Sequence, residues 1–164
     1  MRALLYTVLF SFSLTGCREE QRDYHGYPDE VGEIILSTCA VSGCHNDASK
    51  EAAGGLNLET WDKLFEGGND NAVVIPYRPD HSIMLFFINT DSTAGPALQP
   101  TMPFNGNPLS AQQIQTIRDW IQQGAPDKSG FVKFSDNPAR AKIYVCNQGC
   151  DIVAVLDLES RLIM

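Results

Sequence analysis

Cys39-Ala40-Val41-Ser42-Gly43-Cys44-His45 is the stretch on which the reading of this chain turns. Four residues separate the two thiols, and a histidine directly follows the second. Two thiols so placed can add across the two vinyl groups of haem, and the adjoining histidine then carries its ring under the iron. The usual spacing is C-x-x-C-H; here Ser42-Gly43 gives a longer loop freedom to bulge. Other chemistry is open to the same residues. The cysteines can close a small disulfide loop, or bind zinc together with His25 or His81, since zinc tolerates this spacing. They can also be unmodified core thiols. The adjacency of Cys44 and His45 makes joint chelation of one small ion awkward, and an oxidising compartment disfavours unmodified thiols.

That compartment is read at the N-terminus. Arg2 precedes an apolar run from Ala3 to Leu14, too short to span a bilayer and followed by Arg18, Glu19 and Glu20. This is the pattern of a secretory signal. Leu14-Thr15-Gly16-Cys17 resembles a bacterial lipobox, which makes Cys17 the lipidated first residue of the mature chain and the membrane anchor. Cell-envelope localisation follows, facing the periplasm or the cell surface. Four cysteines then remain: Cys39, Cys44, Cys146 and Cys150.

Moving outward from the motif, Pro28 opens a helix with Asp29 and Glu30 beside its positive end. Val31, Ile34, Ile35 and Thr38 lie at helical spacing, so this helix delivers Cys39 at its C-terminal turn. Downstream, Thr60 is placed to cap a helix through Trp61, Leu64 and Phe65. Val73-Val74-Ile75 reads as a brief extended stretch. Asp80 is placed to cap a helix carrying Ile83, Met84, Phe86, Phe87 and Ile88. Thr90 to Pro108 is rich in proline and reads as loop. Ser110 and Gln113 form a capping-box pattern ahead of Ile114, Ile117, Trp120 and Ile121, and Gly124-Ala125-Pro126 ends that helix. The expected class for the chain is all-α, a helical domain over 27–127 with only a short β-hairpin at the C-terminus.

A distal iron ligand is expected from a loop ahead of the last helix. Met102, in Gln99-Pro100-Thr101-Met102-Pro103-Phe104, answers that description. Its thioether is a soft ligand that raises the potential of a His-ligated haem, and the flanking prolines stiffen the loop. Met84 within an apolar helix reads as core, and His81 or His25 would give bis-histidine ligation instead.

These features together resemble the small class I-like cytochrome c domains, particularly bacterial lipoprotein and planctomycete-type versions, with Cys39–His45 as a C-x4-C-H variant. Gly55-Leu-Asn-Leu58, Pro76-Tyr-Arg-Pro79-Asp-His-Ser82, Met102-Pro103 and the helix from Leu109 to Ala125 also carry the likeness, which covers about two thirds of the chain. The resemblance implies a small cytochrome c fold with crossed first and last helices, one covalent haem c, proximal His45 and distal Met102.

After Gly130 the character changes. Lys142 to Leu158 alternates and is β-branched around Asn147-Gln-Gly149, a hairpin signal that resembles the opening repeat of YVTN-type β-propellers. Cys146 and Cys150 flank that turn as a possible cross-strand disulfide. Asp151 follows Cys150, so the pair is no second haem site. The expected division is a signal segment at 1–16, a tether at 17–26, a cytochrome domain at 27–127, and a linker with hairpin at 128–164.

The formal charge of −8, spread along the chain, excludes a nucleic-acid partner, because phosphate binding needs a basic patch. No paired-carboxylate, Ser-His-Asp or phosphate-cradling constellation is present, and a haem ligated on both sides leaves no open site for substrate. The expectation is therefore an electron carrier with redox-protein partners rather than an enzyme. The alternatives are a haem relay domain of a larger propeller-containing oxidoreductase, or a disulfide- or zinc-stapled binding module without haem.

Overall fold

The structure is a computed structural model that describes residues 22–69, 72–149 and 152–164. The apolar leader, Cys17 and Cys150 lie outside the described residues, and so do the signal, lipidation and Cys146–Cys150 readings that rest on them.

Helix α1 spans Asp29–Thr38, with Pro28 at the cap position and Asp29 and Glu30 in the first turn. Its buried face is Val31, Gly32, Ile34 and Ile35, and Cys39 follows as the C-terminal cap residue. Helix α2 is Trp61–Glu66, where the Thr60 side chain accepts from the Lys63 amide as anticipated. Helix α3 is Ile83–Ile88, and helix α4 is Ala111–Gln122, opened by the full Ser110–Gln113 capping box. Gly124 closes α4 with φ +101°, and a Cβ at that position would meet the Tyr77 ring at 2.6 Å. Only glycine relieves both constraints.

The α3 boundary differs from the sequence expectation. Asp80 does not cap this helix; it lies in a 3-10 turn, Pro79–His81, and Ser82 holds the cap position. The reason is a stronger local partner: the Arg78 guanidinium donates to both Asp80 carboxylate oxygens at 3.1 Å. The Ser82 hydroxyl instead accepts from the Ile75 amide and donates to the Arg78 carbonyl, so Val73–Ile75 is tied to the turn rather than paired as a strand.

One apolar core unites these pieces. Val31, Ile34 and Ile35 of α1 meet Trp61, Leu64 and Phe65 of α2, Met84, Leu85 and Ile88 of α3, and Ile117, Trp120 and Ile121 of α4. Helix α1 packs against α4, and Tyr27 meets Trp120 edge-on at 6.2 Å. Each fully buried aliphatic side chain contributes about 1.5–3 kcal/mol. Trp61 adds polar fixation, since its indole N–H donates to the Ala125 carbonyl at 2.9 Å.

The all-α class does not hold. Among the described residues the four α-helices are only 6 to 12 residues long, long turns separate them, and the C-terminal part is an antiparallel sheet. The 13 glycines and 9 prolines break the helical runs before they lengthen. Strands β1 (Lys142–Asn147) and β2 (Ile152–Asp157) pair in the register Lys142↔Asp157 to Asn147↔Ile152. One isolated antiparallel bridge, Leu156↔Ile163, brings the C-terminal residues back onto β2. Side chains join this C-terminal part to the helical core, together with the Lys128 amide, which donates to the Gly26 carbonyl at 2.9 Å. Lys133 pairs with Asp62 at 2.9 Å and lies over the Trp61 ring, Phe131 meets Trp61 edge-on at 6.0 Å, and Leu162 packs on the core.

Candidate haem-attachment site

The motif loop is built from the end of α1. The amides of Cys39 and Ala40 both donate to the Ile35 carbonyl at 2.9 Å, which closes the last helical turn. The chain then doubles back: the Cys44 amide reaches the Val41 carbonyl at 3.0 Å and the His45 amide reaches the Cys39 carbonyl at 3.1 Å. Gly43 supplies the left-handed residue this reversal requires, with φ +82°. The longer spacing is thus absorbed by a hydrogen-bonded turn that returns His45 to the helix end.

Asn46 braces the turn, a residue the sequence reading passed over. Its side-chain amide donates to the Val41 carbonyl at 2.8 Å, and its side-chain oxygen accepts from the amides of Ala48 and Ser49. The Ser49 hydroxyl, 2.6 Å from the Cys44 carbonyl, completes the brace. The signal available in the sequence was an asparagine directly after the histidine, a residue type that organises turns through its side chain. The Leu58 amide donates to the His45 carbonyl at 2.9 Å, which ties the Gly55–Leu58 stretch to the motif. Tyr27 is a second omission: its hydroxyl lies 3.2 Å and 3.1 Å from the carbonyls of Leu58 and Thr60. Burial, reinforced by the neighbouring Cys39, holds this phenol far above its ordinary value.

Cys39 and Cys44 are both free, partly buried thiols. Burial raises the Cys39 thiol, the Thr38 hydroxyl at 3.3 Å opposes that rise, and Cys44 adds to it. His45 is pushed below its ordinary value by burial, against an opposing pull from the Leu56 and Ala53 carbonyls. Its ring is therefore neutral at neutral pH, the form that binds a metal. One ring nitrogen, Nδ1, is buried without a hydrogen-bond partner.

Met102 lies in the loop after α3. Its amide donates to the Phe87 carbonyl at 2.8 Å, and its side chain is partly buried against the same core as Cys39. Met84 is a core residue, as its place in an apolar helix predicted. The two other histidines are occupied elsewhere. His25 Nδ1 is 3.0 Å from the Glu59 carbonyl oxygen, and His81 Nδ1 is 3.0 Å from Asp80 and 2.8 Å from Arg78. Among the described residues, no three His, Cys, Asp or Glu side chains converge on one point. Zinc stapling through Cys39 and Cys44 accordingly lacks a third donor there. Cys146 is a free, exposed thiol on β1.

Residues 42–103 match the family model described as Planctomycete cytochrome C. The match begins inside the motif and runs through Cys44, His45 and Met102, leaving Cys39 just outside. The chain carries a c-type cytochrome-like domain. No curated protein and no solved structure matches it. The donor set suits the haem c that such a domain suggests: two free thiols lie on one turn, and the next residue is a neutral imidazole with an orphaned buried nitrogen.

Proposed function

We propose that this chain is a haem c electron-transfer protein of the bacterial cell envelope, with one haem held covalently by Cys39 and Cys44. His45 and Met102 would be the residues that hold the iron. The observation that carries this reading is the motif turn itself: two free thiols share one turn with a neutral, half-buried imidazole whose Nδ1 is buried with no protein partner. When bound, the group supplies a one-electron couple whose potential a thioether ligand raises. The chain's own part is positional. Asn46 and Ser49 hold the turn, the tie from Leu58 fixes the His45 backbone, and the buried core beside Cys39 excludes water. With His45 and Met102 both given to the iron, the domain would carry electrons between protein partners and catalyse no substrate reaction of its own.

Attachment is tested by expressing the chain with a haem-maturation system. Haem should stay on the polypeptide through denaturation and acid-organic extraction, because thioethers survive where coordination does not. Replacing both Cys39 and Cys44 with Ala should abolish that covalent stain. Covalent haem in the double variant would overturn the assignment.

Membrane attachment through a lipid on Cys17 completes the proposal, supported by the apolar leader ending in Leu14-Thr15-Gly16-Cys17. No helix among the described residues is long and apolar enough to cross a membrane. Cys17→Ala should move the protein from the detergent-extracted fraction to a soluble or unprocessed form. A variant that stays in the membrane with its leader removed would place the anchor elsewhere.

The hairpin favours a second reading, in which this domain relays electrons for a propeller-containing oxidoreductase. Ile143, Tyr144, Val145 and Val153 are all exposed on a sheet of two strands. A lone hairpin of this kind is marginal in water, so partner strands would stabilise it.

A further inference from the structure

Residues 82–117 contain a single charged side chain, Asp91, in a chain that is 20% charged and has a formal net charge of −8. This stretch comprises α3, the Met102 loop and the first half of α4. The loop amides of Leu98 and Met102 hang from the successive carbonyls of Phe86 and Phe87, at 2.9 and 2.8 Å. The loop is thereby laid over the end of α3. Its surface is uncharged and carries exposed apolar side chains: Leu98 is 37% and Phe104 62% exposed, with Pro96, Pro100 and Pro108, beside the neutral amides of Gln99, Asn105 and Asn107. The acidic excess lies elsewhere, beginning with exposed Asp29, Glu30 and Glu33 on α1.

Building the haem reading into this surface, we propose that the uncharged shelf around Met102, with Leu98 and Phe104 at its centre, is a docking surface. Its partner is a redox protein whose own cofactor edge lies in an uncharged, apolar patch. Charge complementarity selects that partner. A lysine-ringed protein is drawn to the acidic excess on the rest of the chain, and gains nothing over the shelf. An acidic one is repelled at long range. A neutral apolar patch loses little on desolvation against Leu98 and Phe104, and such weak redox encounters need only a small interface. Docking here brings the partner over the loop that presents Met102, the proposed iron ligand.

The test uses the full chain with two probes: a cupredoxin whose copper edge is ringed by apolar side chains, and a c-type cytochrome whose haem edge is ringed by lysines. With the cupredoxin in its cuprous form, amide shift changes should fall between Leu98 and Asn107. Its electron-transfer rate should vary less than about twofold between about 10 and about 200 mM salt, whereas the lysine-ringed probe should slow steeply. Phe104→Lys should remove the shift changes and slow the cupredoxin reaction about tenfold, as for loss of an interface anchor. Asp29→Asn, which alters net charge equally on α1, should change neither. The proposal is overturned by shift changes on α1 or on β1, by the absence of any, by a steep salt dependence with the cupredoxin, or by equal effects of the two substitutions. Failure of the haem reading shows separately as absent covalent haem, while the shift map still reports on the shelf.

Discussion

The helical region around the motif and the C-terminal hairpin are both built largely of apolar residues, yet they dispose of them differently. In the helices, Val31, Ile34, Ile35, Leu64, Ile117 and Ile121 all turn inward to one core. In the hairpin, Ile143, Tyr144, Val145 and Val153 stay exposed. Period decides this. A helix gathers apolar residues at i, i+3 and i+4 on one stripe, which a single neighbour covers. Consecutive strand residues point to opposite faces, so the run Ile143-Tyr144-Val145 puts apolar side chains on both, and one layer of partners cannot cover it. The cysteines follow the same divide. Cys39 and Cys44 are partly buried at a helix end beside His45, and Cys146 is exposed on a strand.

The largest effect expected from this contrast is at Trp61. It is buried, hydrogen-bonded to Ala125 and in edge contact with Phe65 and Phe131. Trp61→Ala should cost about 3–5 kcal/mol in chemical denaturation. A cost near zero would break the account of a single core, because the same residue also anchors the C-terminal part through Phe131 and Lys133.

Two methionines sharpen the contrast within the helical region. Met84→Ala removes a buried core side chain and should destabilise by about 2–5 kcal/mol, leaving the iron ligands in place. Met102→Ala should erase the weak far-red sulfur-to-iron band of the oxidised protein, lower the potential and admit exogenous imidazole, with a smaller loss of stability. If Met84→Ala or His81→Ala produced those spectral changes and Met102→Ala did not, the haem would have to face α3.

At the hairpin the corresponding anchor is polar. Asp157 is buried, accepts from the Ser160 amide and hydroxyl at 2.7 and 2.6 Å, and pairs with Arg140 at 3.3 Å. The Ser160 hydroxyl foremost, then its amide and Arg140, hold the carboxyl below its ordinary value. A carboxylate whose folded value is depressed stabilises above its unfolded value, about 3.9, and that stabilisation is lost as pH falls through the folded one. The melting temperature should therefore drop on acidification below about pH 4, and Asp157→Asn should lower it at neutral pH while flattening the acid-dependent drop. An unchanged acid slope in the variant would show that other carboxylates carry it.

The smallest effect belongs to the exposed strand. Tyr144→Ala should change stability by no more than about 0.5 kcal/mol, since its ring faces solvent. A loss as large as that of Trp61→Ala would mean that the hairpin is covered in solution, and the contrast between the two regions would disappear.

Much of this was legible in the amino-acid order because the interactions are local. The Thr60 cap, the Ser110–Gln113 box and the inward faces of α1 and α4 depend on residues a few positions apart, and the hairpin pairs two runs adjoining in sequence. The motif was legible for the same reason, as adjacency alone puts His45 beside Cys44. What needed the tertiary structure were choices among competing partners. Asp80 looked like a cap until Arg78 claimed both its oxygens, and the all-α class failed because the helices end early and a two-stranded sheet stands beside them. Asn46, whose side chain reaches back five residues to Val41, and Tyr27, whose hydroxyl reaches Leu58 and Thr60, entered the site only through folding. A hydrogen bond or a packed face is decided by what lies within a few ångströms. Periodicity predicts that only along the chain, whereas across it the neighbours are chosen by the burial of every apolar face at once.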